Sequence, residues 1–449
     1  MTQPQSPGNA GPGTSDFILP RRTLLRGAGA AAAASMIPSA MAHQAGPAGD
    51  AELRIALIGC GGRGTGAAVQ ALNAAGKARI VTMADAFEDR MMGSMETIAK
   101  SHPDGVDVPA ERRHVGFDAF KKAIDEDVDV VIMATPPGFR PAHFAYAVEK
   151  GRHVFMEKPV AVDGPGIRKV LAAAQVAKDK KLCVGVGLQR HHSFKYQQTI
   201  AAIEDGAIGR PVMARVYWNS SGVWVRPRKA GQSEMTFQMR NWYYFNWLCG
   251  DHIVEQHIHN LDVGNWMMGG VPVKAQGMGG RLVRTGSEHG EIYDHHAVEY
   301  TYANGAKMIS QCRHHPGTKA TVNEFGAGSE GTVNFGRGSI ENYDGTKWRF
   351  EGDDSAHYQR EHDVLFDAIR TGKEHNEAVT GAHATLTAIL GRMCTYSGQE
   401  ISWEKALNST RRLAPDMEMD KLTWDTMPKS LPGADGQYPI AMPGQYEII

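Results

Sequence analysis

The chain has 449 residues, 42% of them hydrophobic and 22% charged, with a formal net charge of −1. That length exceeds what one hydrophobic core supports and predicts two domains, while the balanced charge excludes a basic field for nucleic acid. The five cysteines (Cys60, Cys183, Cys249, Cys312, Cys394) are scattered, odd in number and without C-x-x-C. This pattern argues against a disulfide framework and a thiolate zinc site, and they read as small buried hydrophobes.

Residues 1–42 read as an address, not as part of the fold. A Gly/Pro/Ser-rich leader precedes Arg21-Arg22-Thr23-Leu24-Leu25-Arg26, an alanine-rich apolar segment follows, and Ala40-Met41-Ala42 offers a small-residue cleavage site. The pattern resembles a twin-arginine export signal and predicts a periplasmic protein. Its apolar run is too short and alanine-rich to span a bilayer stably. The twin-arginine route carries folded proteins, so a cofactor loaded before export can travel with its protein. Residues 43–52 read as a linker.

From 53 to 189 strand and helix patterns alternate, which predicts a doubly wound parallel sheet, an α/β fold. Strands are expected near 53–59, 78–85, 129–135, 151–157 and 181–188, with a poorer one at His114–Phe117. Helices are expected near 64–75, 87–100, 118–125, 140–150 and 164–179. The first strand runs into Gly59-Cys60-Gly61-Gly62-Arg63-Gly64, where Gly59, Gly61 and Gly64 fit G-x-G-x-x-G. Such a turn leaves bare backbone for a pyrophosphate and sets it on a helix N-terminus. The second strand ends on Asp85, 21 residues past Gly64, where a carboxylate accepts hydrogen bonds from an adenosine ribose diol. A carboxylate there repels a 2′-phosphate, so the expected cofactor is NAD, with NADP less favoured; Arg63 and Arg90 leave room for dual use.

Residues 190–414 change texture: Trp, Tyr, His and Gly become common. Alternating runs at 211–218, 271–283, 296–302, 306–311 and 332–334 predict an α+β domain with a mainly antiparallel sheet open on one face. A single polar helix is expected over 251–267, and a late helix pair near 358–371 and 378–396. The stretch 415–449, rich in Pro, Met and Gly, reads as a surface-wrapping arm.

The fifth strand ends Glu157-Lys158-Pro159, which points Lys158 toward the ligand crevice at the strand ends. Glu255, His259 and Asp262 fall at i, i+4 and i+7, one face of a continuous helix. The glycine turn, Asp85, Ala134-Thr135-Pro136-Pro137 with His143, Glu157-Lys158-Pro159 and the segment Gly250–Asp262 occur in the order found in the Gfo/Idh/MocA oxidoreductases, which this chain resembles over roughly residues 53–400. The resemblance implies Lys158 and His259 as catalytic groups, Glu255 as the acid that is usually aspartate, and association into a dimer or tetramer. It also implies cofactor contacts from Gly62, Arg63, Thr135, Pro136, His143, Glu157 and Gln189.

In this reading His259 takes a hydroxyl proton, its ordinary pKa of about 6.5 suiting it to the task; whether His259 or Lys158 finally holds that proton is left open by the sequence. Lys158 stabilises charge on the same oxygen. Arg190, Trp242 and Asp262 are expected to face a carbohydrate or polyol substrate. No metal is expected, because neither H-E-x-x-H nor H-x-x-E-H occurs and adjacent histidines in a strand point to opposite faces. The expected activity is hydride transfer between a sugar, polyol or glycoside carbinol and tightly held nicotinamide. The alternatives are a glycosidase acting by transient oxidation and elimination, and a non-catalytic sugar-binding protein.

Overall fold

The computed structural model describes residues 51–415 and 418–448; the expected signal segment and residues 43–50 of the linker lie outside the described residues. The first half alternates as its sequence pattern predicts. It comprises β1 (Leu53–Ile58), α1 (Gly62–Asn73), β2 (Ala78–Asp85), α2 (Glu88–Ser101), β3 (Arg113–Val115), α3 (Ala119–Asp125), β4 (Val130–Met133), α4 (Arg140–Glu149), β5 (His153–Met156), α5 (Gly164–Asp179) and β6 (Val184–Val186). The strands pair in parallel in the order β3-β2-β1-β4-β5-β6. Strand order reverses between β1 and β4, so a crevice opens beyond their carboxyl ends, at Gly59 and Ala134.

The second half contains α6 (Phe194–Glu204), β7 (Pro211–Ser220), α7 (Glu234–Arg240), α8 (Asn246–Cys249), α9 (His252–Glu255), α10 (Ile258–Met268), β8 (Lys274–Gly280), β9 (His295–Thr301), β10 (Lys307–His314), β11 (Thr321–Gly328), β12 (Gly331–Asn334), β13 (Ser339–Asn342) and β14 (Lys347–Arg349). It closes with α11 (His357–Thr371), α12 (Ala378–Ser397), β15 (Ile401–Ser402) and α13 (Trp403–Asn408). Nine strands form one sheet in the order β14-β13-β12-β11-β7-β10-β9-β8-β15, antiparallel except where β10 meets β7. Helices α10 and α12 pack on one face; the other exposes Met213 and Met278.

The helix expected over 251–267 is not continuous. Asp251 has φ +77°, α9 lasts four residues, and the His257 N–H reaches back five residues to the His252 carbonyl at 3.1 Å. The chain is underwound into a π-like turn at Gln256–His257, and α10 restarts at Ile258. Glu255 and His259 therefore belong to two successive helices.

Helix α11 crosses back to the parallel sheet, where Leu365, Phe366 and Ile369 join Ile55, Leu57, Ala67 and Phe155 in one buried cluster. Burying each of these larger side chains is worth roughly 1.5–3 kcal/mol. The arm beyond residue 418 has little regular structure but is anchored: Trp424 packs on Phe87 and Phe117, with centroids at 4.9 and 4.8 Å, and Tyr438 packs on Phe245. All five cysteines are free and buried.

Candidate active site

The glycine turn does what its spacing requires. Gly59 has φ +91°, a conformation that side chains other than glycine rarely adopt. A Cβ on Gly64 would overlap the Gly59 carbonyl oxygen, so helix and strand meet there backbone to backbone. At Gly61 and Gly62 a Cβ would meet nothing within 4 Å. Both border a cavity of about 330 Å³ that also touches Arg63, Asp85, Thr135, Pro136 and His143. No side chain caps the start of α1, which leaves its first N–H groups and the positive end of the helix dipole for an anion. Open glycines, an uncapped helix start and a carboxylate fit a dinucleotide.

Asp85 is fixed by the same turn. Its carboxylate accepts from the Cys60 and Phe87 N–H groups at 2.7 and 2.9 Å; burial nevertheless holds its pKa above the usual carboxylate value. His143 stacks on Phe120 at 4.0 Å and lies 3.3 Å from the Thr135 hydroxyl. Burial and the Arg140 charge push it down to about 3, so it is neutral. Sequence reasoning missed Arg140, whose guanidinium donates to the carbonyls of Thr135 and Pro159 from full burial. Its signal was an arginine inside an apolar helix.

Beyond the cavity stands the catalytic candidate Lys158, before a cis bond to Pro159. Its ammonium donates to the Glu255 carbonyl at 2.7 Å and to the Glu255 carboxylate at 3.1 Å. Burial raises the Glu255 pKa and the Lys158 charge offsets part of that rise. His259 is buried, its ring 6.2 Å from that of Trp218, and its Nδ1 has no hydrogen-bond partner among the described residues. Burial, then the charges of Lys158 and Arg190, push its pKa well below the ordinary imidazole range. The ordinary imidazole value expected from the sequence is not kept: burial and the Lys158 charge leave His259 a neutral imidazole. These three side chains do not line the 330 Å³ cavity; Arg63, which does, pairs with Glu157 at 2.6 Å and so links cavity and amine.

The remaining candidates are engaged by protein partners. Arg190 pairs with Glu324, which also binds Tyr196 and Asn260. Asp262 pairs with His191 at 2.8 Å. Gln189 donates to the Tyr358 hydroxyl at 3.0 Å, and the Arg63 guanidinium lies over the Tyr358 ring. Trp242, expected beside substrate, borders the glycine-turn cavity with Trp224, Arg226 and Arg240. The aromatic wall Phe117, Phe120 and Phe139 of that cavity was not singled out in the sequence.

Fold and site together define a two-domain dinucleotide-binding protein with a lysine, glutamate and histidine gathered beyond the sheet rim. Residues 53–188 match the family model described as oxidoreductase family, NAD-binding Rossmann fold, and residues 196–353 match the GFO/IDH/MocA C-terminal domain. The chain belongs to the Gfo/Idh/MocA oxidoreductase family. It is 30% identical to an inositol 2-dehydrogenase of Rhodococcus erythropolis over 162 residues, 36% of this chain and 43% of the relative. It is 25% identical to one of Rhizobium meliloti over 257 residues, 57% of this chain and 67% of the relative. The chain thus spans under half the length of the first of these relatives. Among solved structures, a levoglucosan dehydrogenase in complex with NADH and levoglucosan has a TM-score of 0.62 at 17% identity, covering 78% of this chain and 99% of that one. A myo-inositol 2-dehydrogenase from Lactobacillus plantarum has a TM-score of 0.60 at 20% identity, with the same coverage. No helix among the described residues is long and apolar enough to cross a membrane.

Proposed function

We propose that the protein is an NAD-dependent dehydrogenase that oxidises a secondary hydroxyl of a polyol or sugar, with an inositol-like ring as the first substrate to test. The observation that carries this reading is the Lys158–Glu255 pair facing a neutral His259 past the end of a dinucleotide crevice. The inositol and levoglucosan dehydrogenases among the similar proteins support the substrate class. Bound NAD supplies the hydride acceptor. The open backbone at Gly61 and Gly62, the start of α1 and Asp85 would hold it, while Thr135, Pro136 and His143 flank it. His259, kept neutral, accepts the hydroxyl proton at its imidazole. Lys158 donates a hydrogen bond to the same oxygen and stabilises its developing charge. Glu255 aims Lys158 through its carbonyl and its carboxylate.

The twin arginines of residues 21–22 support the further reading that the enzyme is exported with its dinucleotide aboard, so that nicotinamide is regenerated in place. Exposed Met213 and Met278 on the outer sheet face support association of copies through that face. Mass spectrometry of the native protein for retained dinucleotide, followed by an absorbance screen for reduced nicotinamide with inositols, levoglucosan and aldoses, tests the reading. Reduction with a polyol or sugar is the expected result; neither dinucleotide binding nor reduction would overturn it. Release of an aglycone from a glycoside without net redox change would redirect it to transient oxidation.

A further inference from the structure

The helix-covered face of the large sheet is not apolar beneath α9. His296 on β9 and Ser310, Cys312 and His314 on β10 all point inward and are buried. Asp251, fully buried and in a left-handed conformation, lies against them. Its Oδ1 is 3.2 Å from His296 Nε2 and 3.8 Å from His252 Nε2. One ligand atom from each of these three residues falls within 4.8 Å of the others.

The group is unfinished as protein alone. Both ring nitrogens of the fully buried His252 lack hydrogen-bond partners, as does His296 Nε2. An unpaired buried polar group costs about 1–3 kcal/mol, and such groups in native proteins commonly mark an ion or water. Among the described residues, the ion-pair partners of the Asp251 carboxylate are these two imidazoles. A divalent cation would take one ring nitrogen of His252 and the Nε2 of His296 and neutralise the buried carboxylate together. The Asp251 carboxylate also accepts from the His252 and Tyr293 N–H groups and the Tyr396 hydroxyl, so the deficit lies in the imidazoles; in the second group of this kind, Asp294 with His295 and His315, the imidazole contacts at 2.7 and 3.1 Å are formed.

We propose that Asp251, His252 and His296 bind a zinc-type divalent ion. Tetrahedral zinc with bonds of ~2.0–2.1 Å to nitrogen sets its ligands about 3.4 Å apart, close to the two carboxylate–imidazole separations. Two imidazoles and a carboxylate favour Zn²⁺ over Mg²⁺ or Ca²⁺. The site is closed to solvent, hence structural. It clips α9 to the sheet, and α9 ends on Glu255, the residue that holds Lys158.

The full-length protein, dialysed against metal-free buffer, is assayed for metal by inductively coupled plasma mass spectrometry, then stripped with chelator and titrated with Zn²⁺ and Mg²⁺ while thermal unfolding is followed. The expected result is one zinc per chain and a melting temperature raised by Zn²⁺ but not by Mg²⁺. His252→Ala and His296→Ala lose the metal; His295→Ala, which faces the other way, keeps it. Should the two former variants fail to fold, Co²⁺ loaded into the unaltered chain reads the site directly. A tetrahedral ligand-field spectrum supports the assignment. Metal-free native protein that also fails to take up Zn²⁺, metal lost in His295→Ala but kept in His252→Ala, or an octahedral all-oxygen Co²⁺ spectrum would overturn it. None of these readouts depends on dinucleotide binding or turnover.

Discussion

Lys158 donates to both the main-chain carbonyl and the side-chain carboxylate of Glu255, at 2.7 and 3.1 Å. The amine is thus held by the end of α9 as well as by a charge, and the two holds are separable. Lys158→Met, which keeps the stem and deletes the donor, is expected to lower kcat by roughly 10²–10³ while dinucleotide binding persists. Glu255→Gln retains the carbonyl contact, so its loss is the smaller, about tenfold. Steady-state rates set beside fluorescence titration with NAD check both; equal losses would show that the carboxylate, not the carbonyl, fixes the amine.

His259→Gln removes the proton acceptor from a buried position of similar polarity. Its kcat is expected to fall by about 10²–10⁴, and the loss should shrink at high pH, where solvent hydroxide takes over the proton. A pH–rate profile parallel to that of the unaltered enzyme would remove His259 from the proton path.

The glycine turn offers a matched pair. Gly61 has φ −75°, which any residue adopts, and open space beyond it, so Gly61→Val should fold within about 0.5 kcal/mol of the parent. Its side chain fills the cradle, and NAD affinity should drop roughly tenfold or more, ~1.4 kcal/mol. Gly64→Ala instead forces β1 and α1 apart and should cost about 1–3 kcal/mol of stability. Denaturant melts and NAD titrations of both variants separate the roles.

Acid should unfold this protein early. Burial holds His143, His257 and His362 down to about 3 and His153 to about 4, against about 6.5 in the unfolded chain. These groups are neutral in both states above pH 6.5 and leave stability unchanged there. As pH falls below that value the unfolded chain takes up their protons and the folded one does not, so stability drops by up to about 1.4 kcal/mol per pH unit for each. The loss runs from about pH 6.5 to about pH 3–4. Denaturant melts at pH 7.5, 6 and 5 measure the slope; a flat profile would mean that these imidazoles are solvated.

The parallel half was legible because strands buried on both faces are near-continuous apolar runs, and β1, β2, β4 and β5 fall where those runs lie. Lys158 was legible because a rule of topology places strand ends at the crevice. The break in the helix over 251–267 was not: one underwound, π-like turn at Gln256–His257 leaves the spacing of Glu255, His259 and Asp262 intact on paper. Strand β11 escaped because its inward position is Glu324, a carboxylate satisfied by Arg190, Tyr196 and Asn260 in place of a hydrophobe. Arg190 and Asp262 read as ligand-facing because their partners Glu324 and His191 lie 134 and 71 residues away.

Helix α11 has a bearing on biosynthesis. It reaches back across some two hundred residues to finish a surface that β5 and β6 begin, so a ribosome that has released only the nucleotide half has released an unfinished object with Phe155 uncovered. Maturation must wait for about residue 371 to emerge. Cofactor loading is consequently a late event, completed on an almost entire polypeptide, and an excised amino-terminal fragment would be an aggregation-prone reagent rather than a working nucleotide module.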